Sequence, residues 1–458
     1  MKHNFLSIII VLFTMTLFIA SCQKEVSGPA AKRQTEETSS ANPNSLRGHL
    51  NQAKEYPSDV VFKWMNMQLR LMQTSSPFIG GLPAFRPIAY SGIALYESVV
   101  AGMPAYQTLS GQLTDMPAMP QTLPGFAYHW PTSANAVLAD MNRKLFSNTS
   151  IANKNSIDSL ENALNAEYSD DVNTATIQRS VQFGKAIAQL IFDWSVADGA
   201  NHANDPYAVP VGPGLWVPTP PANLAPFGPY WKNNRLMVQG SLNGSAPPSP
   251  PVYSTNPGSA YYNMVKEVFD ISQTLTAEQR AIGLYYRDNP GFGGGHYLSI
   301  MKQVLQQENP TLDISALTYA KVGIALVDGG IGCWTAKYSY NLERPITYIR
   351  NILGFNTWNA LFGTPNFPEY PSGHSTAGGA IAETLTGLFG DNYQFTNHSY
   401  DYLGMAPRTY TSFYQMAQEI GDSRVYGGIH YRIACTEGNK QGRKIAQNIN
   451  NTLKFLKE

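Results

Sequence analysis

The sequence predicts an all-α fold, a helical bundle with long proline-rich loops, from three observations. Apolar residues recur at intervals of three and four through most of the chain, the spacing that places them on one face of a helix. Alternating apolar and polar residues, which would predict half-buried strands, form no run of useful length. Residues 203–258 contain so many prolines that no regular helix can persist there, and this segment divides the predicted helices into two groups.

The first group of helices begins near residue 57, where Val60, Val61 and Trp64 start the helical spacing. The proline-rich segment contains Trp216 and Trp231, large side chains that favour burial. We therefore expect it to wrap over the core as a loop rather than to link two domains. The predicted helices after the first are residues 85–101, 133–146, 150–167, 174–197, 260–273, 277–286, 296–308, 312–332, 374–389, 408–422 and 436–456.

The N-terminus has the features of a secretory signal rather than of a folded element. A basic start precedes an apolar run that ends in Ile-Ala-Ser-Cys at Cys22. This ending resembles a bacterial lipoprotein signal, in which the cysteine becomes lipidated, and an uncleaved membrane anchor is the alternative. We expect a signal peptide over residues 1–22, a flexible polar tether over 23–50 and a single helical domain over 51–458. The protein would then be exported and lipid-anchored to the bacterial cell envelope, and no later stretch approaches the roughly 18 apolar residues needed to span a bilayer.

Composition narrows the classes of function. The chain has 458 residues, in which 32 Lys and Arg balance 32 Asp and Glu, so the formal net charge is zero. A nucleic-acid-binding protein needs a basic surplus against phosphates, so nucleic acid is not an expected partner. Charged residues amount to 14%, against about 25% in typical soluble domains, which excludes a highly charged disordered chain.

Three short segments in the C-terminal third carry the residues best suited to chemistry. They begin at Lys337, at Pro371 and at Ser423. Together they offer three cations, a hydroxyl, a glycine and two imidazoles. These residues are Lys337, Arg344, Ser372, Gly373, His374, Arg424 and His430.

This set of side chains suits a tetrahedral oxyanion. The planar fork of an arginine matches two oxygens of such an anion, and a glycine lets the backbone approach closely and donate its N–H. His374 lies where a helix is expected to begin, and the free N–H groups at a helix start favour anions. One imidazole could bond the central atom while the other moves protons. Each segment alone has a plain structural explanation, such as a turn with a helix cap, but the presence of all three in order argues against coincidence.

The combined pattern, Lys-x6-Arg-Pro, Pro-Ser-Gly-His and Ser-Arg-x3-Gly-x-His, resembles the superfamily of vanadium-dependent haloperoxidases and type 2 phosphatidic acid phosphatases. The flanking residues resemble secreted members of the haloperoxidase branch, at Cys333–Tyr338, Pro368–Pro371 and Gly428–Arg432. Residues Tyr286–Gly291 resemble a further segment of that branch. The resemblance implies an α-helical bundle of the haloperoxidase and acid phosphatase type, with its active-site motifs within residues 330–450.

The resemblance also implies vanadate as the cofactor, with phosphate able to occupy the same site. His430 would be the axial metal ligand, or the nucleophile toward phosphate. His374 would be the acid–base group, and Lys337 would draw electron density from the bound oxidant. Asp288 would be a partner of one of the arginines, with an ordinary loop-capping role as the alternative. The residues implied to hold the cofactor are Lys337, Arg344, Ser372, Gly373, His374, Arg424 and His430.

One departure from the family pattern concerns the acid that usually follows the last histidine by four residues. That position is Ala434 here, so no carboxylate is available there to orient the imidazole of His430. Glu437, three residues further along, is the candidate to replace it. If nothing replaces it, phosphohistidine chemistry would suffer more than vanadate binding, which favours the haloperoxidase over the phosphatase.

We therefore expect a vanadate-dependent haloperoxidase that oxidises a halide, iodide or bromide, with hydrogen peroxide to hypohalous acid, with or without an organic acceptor. An acid phosphatase that acts through a phosphohistidine is the alternative, because phosphate and vanadate share shape and charge. A third interpretation is a non-catalytic surface lipoprotein that binds glycans through its aromatic residues, although the complete motif set argues against it. Cys333 and Cys435 are expected to be buried free thiols, with a disulfide between them as the alternative. The sequence leaves the oligomeric state open.

Overall fold

Helices make up most of residues 51–458, the part of the chain that the computed structural model describes. The predicted signal, lipidation site and tether lie outside the described residues and stay predictions. The helices are α1 (Asp59–Thr74), α2 (Phe85–Val99), α3 (Trp130–Leu145), α4 (Ile151–Tyr168), α5 (Thr174–Val196), α6 (Ala260–Gln273), α7 (Ala277–Tyr285), α8 (His296–Glu308), α9 (Leu312–Tyr340), α10 (Pro345–Asn351), α11 (Gly373–Phe389), α12 (Phe413–Tyr426) and α13 (Arg432–Thr452). A short hairpin pairs β1 (Phe395–Asn397) with β2 (Arg408–Tyr410) in antiparallel register.

The all-α prediction is confirmed, with local differences that have physical causes. α10 was missed because its seven residues form barely two turns, too few for a helical period to show. The strands β1 and β2 have three residues each, too few to show alternation. α12 begins at Phe413 rather than at residue 408, because the Ser412 side chain caps it by accepting the Gln415 N–H at 3.1 Å.

α9 is the central helix and packs closely against α2. A Cβ at Gly323 would lie 2.5 Å from the Cα of Ala89, and a Cβ at Gly92 would lie 2.6 Å from the backbone oxygen of Tyr319. The glycines therefore allow the two backbones to touch. By length and composition α9 could cross a membrane, contrary to the expectation that no stretch after the signal approaches such a span, but 89% of its apolar window is buried inside the protein. It is the core helix of the bundle.

α11 and α13 cross at an equally close distance and set the position of the predicted site. A Cβ at Gly442 would lie 1.9 Å from the backbone oxygen of Thr376 in α11. A Cβ at Gly379 would lie 2.3 Å from the backbone oxygen of Asn439 in α13. This crossing fixes the first turn of α11, where the Pro-Ser-Gly-His motif lies.

The proline-rich segment 203–258 packs over the C-terminal half of α9. Trp216 and Trp231 are buried, and the backbone N–H of Trp216 donates to the backbone carbonyl of Asn341 at 2.6 Å. The buried carboxylate of Asp328 in α9 accepts the N–H groups of residues 237 and 238 at 2.6 and 3.0 Å. These bonds hold the segment against the helix that carries Lys337.

Candidate active site

Lys337 lies in the last turn of α9 and is fully buried. Its ammonium group donates to the carbonyls of Pro368 and Glu369 at 2.9 and 2.8 Å, which leaves one of its three hydrogens for another acceptor. The nitrogen also lies 5.5 Å from the ring centroid of Trp334 and 5.2 Å from that of Phe367. Burial lowers the pKa of Lys337 to about 7, so any anion that enters will favour its charged form.

Arg344 lies just before α10 and is also fully buried. Its Nε donates to the Phe367 carbonyl at 2.9 Å, and its Nη1 donates to the Ile429 carbonyl at 2.8 Å. Among the residues that the structure describes, its Nη2 has no hydrogen-bond partner although it is buried. A buried guanidinium nitrogen left unpaired is costly, so the side chain is arranged for an acceptor such as an anion oxygen.

Arg424 lies in the last turn of α12, and the chain then turns sharply toward His430. Its Nη2 donates to the Tyr286 carbonyl at 2.5 Å, and its Nε contacts the Ser423 hydroxyl at 3.1 Å. Gly428 has φ +74°, and a Cβ there would lie 3.1 Å from the Trp358 ring. The glycine in the motif is therefore needed for the turn that carries His430 back beside Arg344.

The Pro-Ser-Gly-His motif forms the start of α11. Ser372 is its N-cap and accepts the N–H of Ser375 at 3.3 Å and its hydroxyl at 3.0 Å. A Cβ at Gly373 would lie 3.1 Å from the Trp334 ring, which also lines the cavity, so a larger side chain at this position would crowd that ring. The capping role that the sequence offered as an alternative for Ser372 is thus real, and it places the N-terminus of α11 at the cavity.

His374 and Asp288 form a pair at the opening of the site. The Nε2 of His374 lies 3.0 Å from the Asp288 Oδ1, with a quarter of the imidazole exposed. The sequence assigned Asp288 to an arginine, whereas its hydrogen-bond partner is His374. Burial and the nearby Arg424 lower the pKa of His374, against the opposing effect of Asp288. Burial raises the pKa of Asp288, but His374 and Arg424 together bring it below its usual value.

His430 is buried, with one ring nitrogen toward a carboxylate and the other toward a guanidinium group. Its Nδ1 lies 2.7 Å from the Glu369 Oε1, and its Nε2 lies 3.3 Å from the Arg344 Nη1. Because a guanidinium can only donate, Nε2 is the accepting nitrogen and Nδ1 carries the hydrogen. Burial, then Arg344 and Lys337, hold the pKa of His430 well below its usual value, so the imidazole is neutral.

Glu369 is the residue that sequence reasoning missed. Glu437, the expected substitute for the absent acid at Ala434, instead forms an ion pair with Lys440 at 2.8 Å. The available signal was the acid in the Pro368–Pro371 flank, directly before the Pro-Ser-Gly-His motif. Since Glu369 contacts His430, the missing acid no longer argues against phosphohistidine chemistry.

A cavity of about 460 Å³ opens above these residues. Gly373, His374, Arg424 and His430 line it, while Lys337, Arg344 and Ser372 are buried behind its wall. Four of the seven predicted residues therefore line one cavity, Lys337 and Arg344 lie against Phe367 of its wall, and Ser372 directly precedes Gly373. The aromatic wall of the cavity is formed by Phe78, Phe85, Phe227, Tyr297, Trp334, Phe362 and Phe367.

The two thiols near the site are buried and free, as predicted. Cys333 lies one turn before Lys337 in α9, and its Sγ lies 3.7 Å from the Pro371 carbonyl. Burial raises the pKa of Cys333, and it raises that of Cys435 to about 12. Both thiols are therefore protonated packing residues at neutral pH.

Comparison with known proteins places this geometry in a family. Residues 317–457 match the family model described as the VCPO second helical-bundle domain. The crystal structure of a bacterial vanadium-dependent iodoperoxidase is 30% identical, with a TM-score of 0.80 over 88% of this chain and 98% of that chain. The chain belongs to the vanadium-dependent haloperoxidase family.

Two further members of the haloperoxidase family are more distant. The vanadium chloroperoxidase of Curvularia inaequalis is 34% identical over 85 residues, so the match spans only 14% of that protein and 15% of this chain. The holo structure of a bacterial vanadium-dependent chloroperoxidase is 15% identical, with a TM-score of 0.61 over 81% of this chain and 92% of that chain. The latter similarity shows a shared fold.

Proposed function

We propose that this protein is a vanadate-dependent haloperoxidase that oxidises iodide or bromide with hydrogen peroxide to hypohalous acid. The observation that carries the proposal is the burial of three cationic side chains, Lys337, Arg344 and Arg424, close enough to the imidazole of His430 to act on its charge, beside one cavity. Three buried cations face the carboxylates of Asp288 and Glu369, one of which is already paired with His374. A buried surplus of positive charge is costly unless an anion neutralises it.

The residues fit vanadate in this place. The unpaired Nη2 of Arg344 and the remaining hydrogen of Lys337 are donors for anion oxygens. The neutral imidazole of His430 offers the Nε2 lone pair that a ligand needs, and the start of α11 at Gly373 favours negative charge. When bound, vanadate would supply a Lewis acid that activates hydrogen peroxide toward the halide.

The chain's own residues would bind the anion, hold it in position and move the proton. Lys337, Arg344 and Arg424 would neutralise the charge of the anion throughout the reaction. His374 donates from Nε2 to Asp288, which leaves its Nδ1 unprotonated and able to take a proton from hydrogen peroxide. The aromatic wall would exclude bulk water from the cations and so strengthen their effect.

Iodide as the halide is supported by the similarity to the bacterial iodoperoxidase over nearly the whole of that chain. Bromide remains within the proposal. Assays with both halides on the same enzyme preparation would rank them.

The phosphatase remains the second candidate because of one observation. A carboxylate bonded to the Nδ1 of a neutral histidine, as Glu369 is to His430, also suits a histidine nucleophile. No contact of the described residues favours the glycan-binding interpretation, which stays a prediction.

The experiment uses purified protein without residues 1–25, which contain the predicted signal. After incubation with orthovanadate, iodide and bromide oxidation by hydrogen peroxide are measured, and phosphate-ester hydrolysis is measured without vanadium. Halide oxidation that requires vanadate is the expected result. Ester hydrolysis that vanadate inhibits would support the phosphatase instead, and glycan retention with neither activity would support the third interpretation.

Two variants test the roles of the imidazoles. His430→Ala should abolish vanadate retention, whereas His374→Ala should retain vanadate and lose most of the turnover. His398→Ala is the matched control, because this imidazole is half-exposed and pairs with Asp401 away from the cavity. Equal activity in the His430 and His374 variants and the control would refute the assignment.

A further inference from the structure

The carboxylate that contacts His430 lies in the segment before α11, whereas the family pattern places an acid at position 434 in α13. We propose that Glu369 is the positioning residue that fixes the tautomer and orientation of His430 for anion binding, in place of the acid that is absent at Ala434. This inference rests on the proposed function, in which His430 binds the anion.

Glu369 accepts three hydrogen bonds, two at its Oε1 and one at its backbone carbonyl. Its Oε1 accepts the Nδ1–H of His430 at 2.7 Å and the backbone N–H of Tyr431 at 2.9 Å. Its backbone carbonyl accepts from Lys337 at 2.8 Å. The residue is 0% exposed, so these bonds act without competition from water. One residue therefore links the imidazole, the peptide that follows it and a cation of the site.

The bond from Nδ1 determines what Nε2 can do. A neutral imidazole carries one hydrogen, and an acceptor at Nδ1 keeps that hydrogen away from Nε2. The Nε2 lone pair of His430 then accepts only the long contact from Arg344 at 3.3 Å, which an anion ligand can replace. Without Glu369, only the long contact with Arg344 would oppose a second tautomer with hydrogen on Nε2, and that tautomer cannot bond the central atom of an oxyanion.

The structure explains why the acid at position 434 is dispensable. Ala434 is buried in the first turn of α13, where its carbonyl accepts the Ser372 N–H at 3.0 Å. Glu369 reaches the same imidazole from the segment that leads into α11. That segment also carries Ser372, Gly373 and His374, so one stretch of chain supplies the acid together with the helix start. Glu343, another buried acid nearby, is bonded to Tyr261 at 3.0 Å and does not compete for the role.

The test compares Glu369→Gln, Glu369→Ala and the double variant Glu369→Ala/Ala434→Asp with the wild type. In the metal-free proteins, ¹⁵N NMR of labelled histidine reports which nitrogen of His430 carries the hydrogen. We expect Nδ1 in the wild type and a mixture in Glu369→Ala. Orthovanadate binding, measured by titration calorimetry, should weaken about 10- to 100-fold in Glu369→Ala and less in Glu369→Gln, whose carbonyl can still accept. The double variant should recover most of the affinity.

Glu437→Gln is the matched control and should bind orthovanadate like the wild type, because its carboxylate pairs with Lys440 instead. A folded Glu369→Ala protein with wild-type tautomer and affinity would overturn the inference. If Glu369→Ala does not fold, Glu369→Met decides, because its side chain has a similar size and no oxygen to accept the Nδ1–H; wild-type tautomer and affinity in that variant would overturn the inference. A wild type that fails to bind orthovanadate would refute the proposed function, whereas the histidine spectra would still decide the role of Glu369. A double variant no tighter than the single one would overturn the replacement of position 434 by Glu369.

Discussion

Replacement of Gly442 by alanine should separate the two helices that position the Pro-Ser-Gly-His motif. The new Cβ would lie 1.9 Å from the backbone oxygen of Thr376 and 2.8 Å from the backbone nitrogen of Ala380. Helix backbone cannot rotate away, so α13 must move from α11 by about 1 Å to relieve the overlap. Overpacking of this kind costs about 3 kcal/mol, and the better helix propensity of alanine offsets about 1 kcal/mol of it. We expect the free energy of unfolding to fall by about 2 kcal/mol.

The measurement is denaturant unfolding followed by far-ultraviolet circular dichroism, with orthovanadate affinity as a second readout. Gly387→Ala is the matched control, since it lies in α11 and its Cβ would meet nothing closer than the Asn450 amide at 3.7 Å. The control should be as stable as the wild type or more so, with unchanged affinity. Gly442→Ala should be less stable and bind more weakly, because α11 carries Ser372, Gly373 and His374. A Gly442→Ala protein as stable as Gly387→Ala would refute the reasoning.

Three further predictions concern charge and location. Burial raises the pKa of Glu97 to about 7, so the folded state holds a proton that the unfolded state releases above about pH 4.5. Between pH 4.5 and 8, the free energy of unfolding of the wild type should therefore fall by up to about 3 kcal/mol relative to that of Glu97→Gln. Parallel pH profiles of the two unfolding free energies would contradict this. Arg344→Lys keeps the charge but loses the fork, so orthovanadate affinity should fall by about 10- to 100-fold in calorimetric titration, and an unchanged affinity would contradict the role of Nη2. Cys22→Ala in the full-length protein should move the enzyme from the membrane fraction to the soluble fraction, and equal membrane retention would argue against lipidation.

The sequence was sufficient to predict the fold class, and it singled out seven candidate residues that the structure brings together, because helical spacing and short motifs are local features of the chain. Helical spacing repeats within each long segment, and the three motifs contain side-chain types that serve few purposes together. Gly428 shows the limit of this local information. Its place in the motif was evident, but the reason for it, a positive φ against Trp358, needed the structure.

Contacts between distant segments could not be predicted in the same way. Glu369 and His430 are 61 residues apart and meet only because α11 and α13 cross as they do. Helical proximity favoured Glu437 for the same role, and that expectation was wrong because the Glu437 side chain pairs with Lys440. Asp288 and His374 are 86 residues apart, so the sequence indicated an acid near the site without its true partner.

The composition of the cavity wall has a consequence for the lifetime of the protein. The chain contains 26 Tyr and 20 Phe, yet the described residues that line the cavity include five Phe and a single Tyr, Tyr297, whose hydroxyl donates to the His374 carbonyl at 3.1 Å. Phenol rings react with electrophilic halogen far faster than unsubstituted phenyl rings do. If hypohalous acid forms in this cavity, the five phenyl rings would resist it, whereas the phenol of Tyr297 and the electron-rich indole of Trp334 would be modified first and would limit how many turnovers one molecule completes.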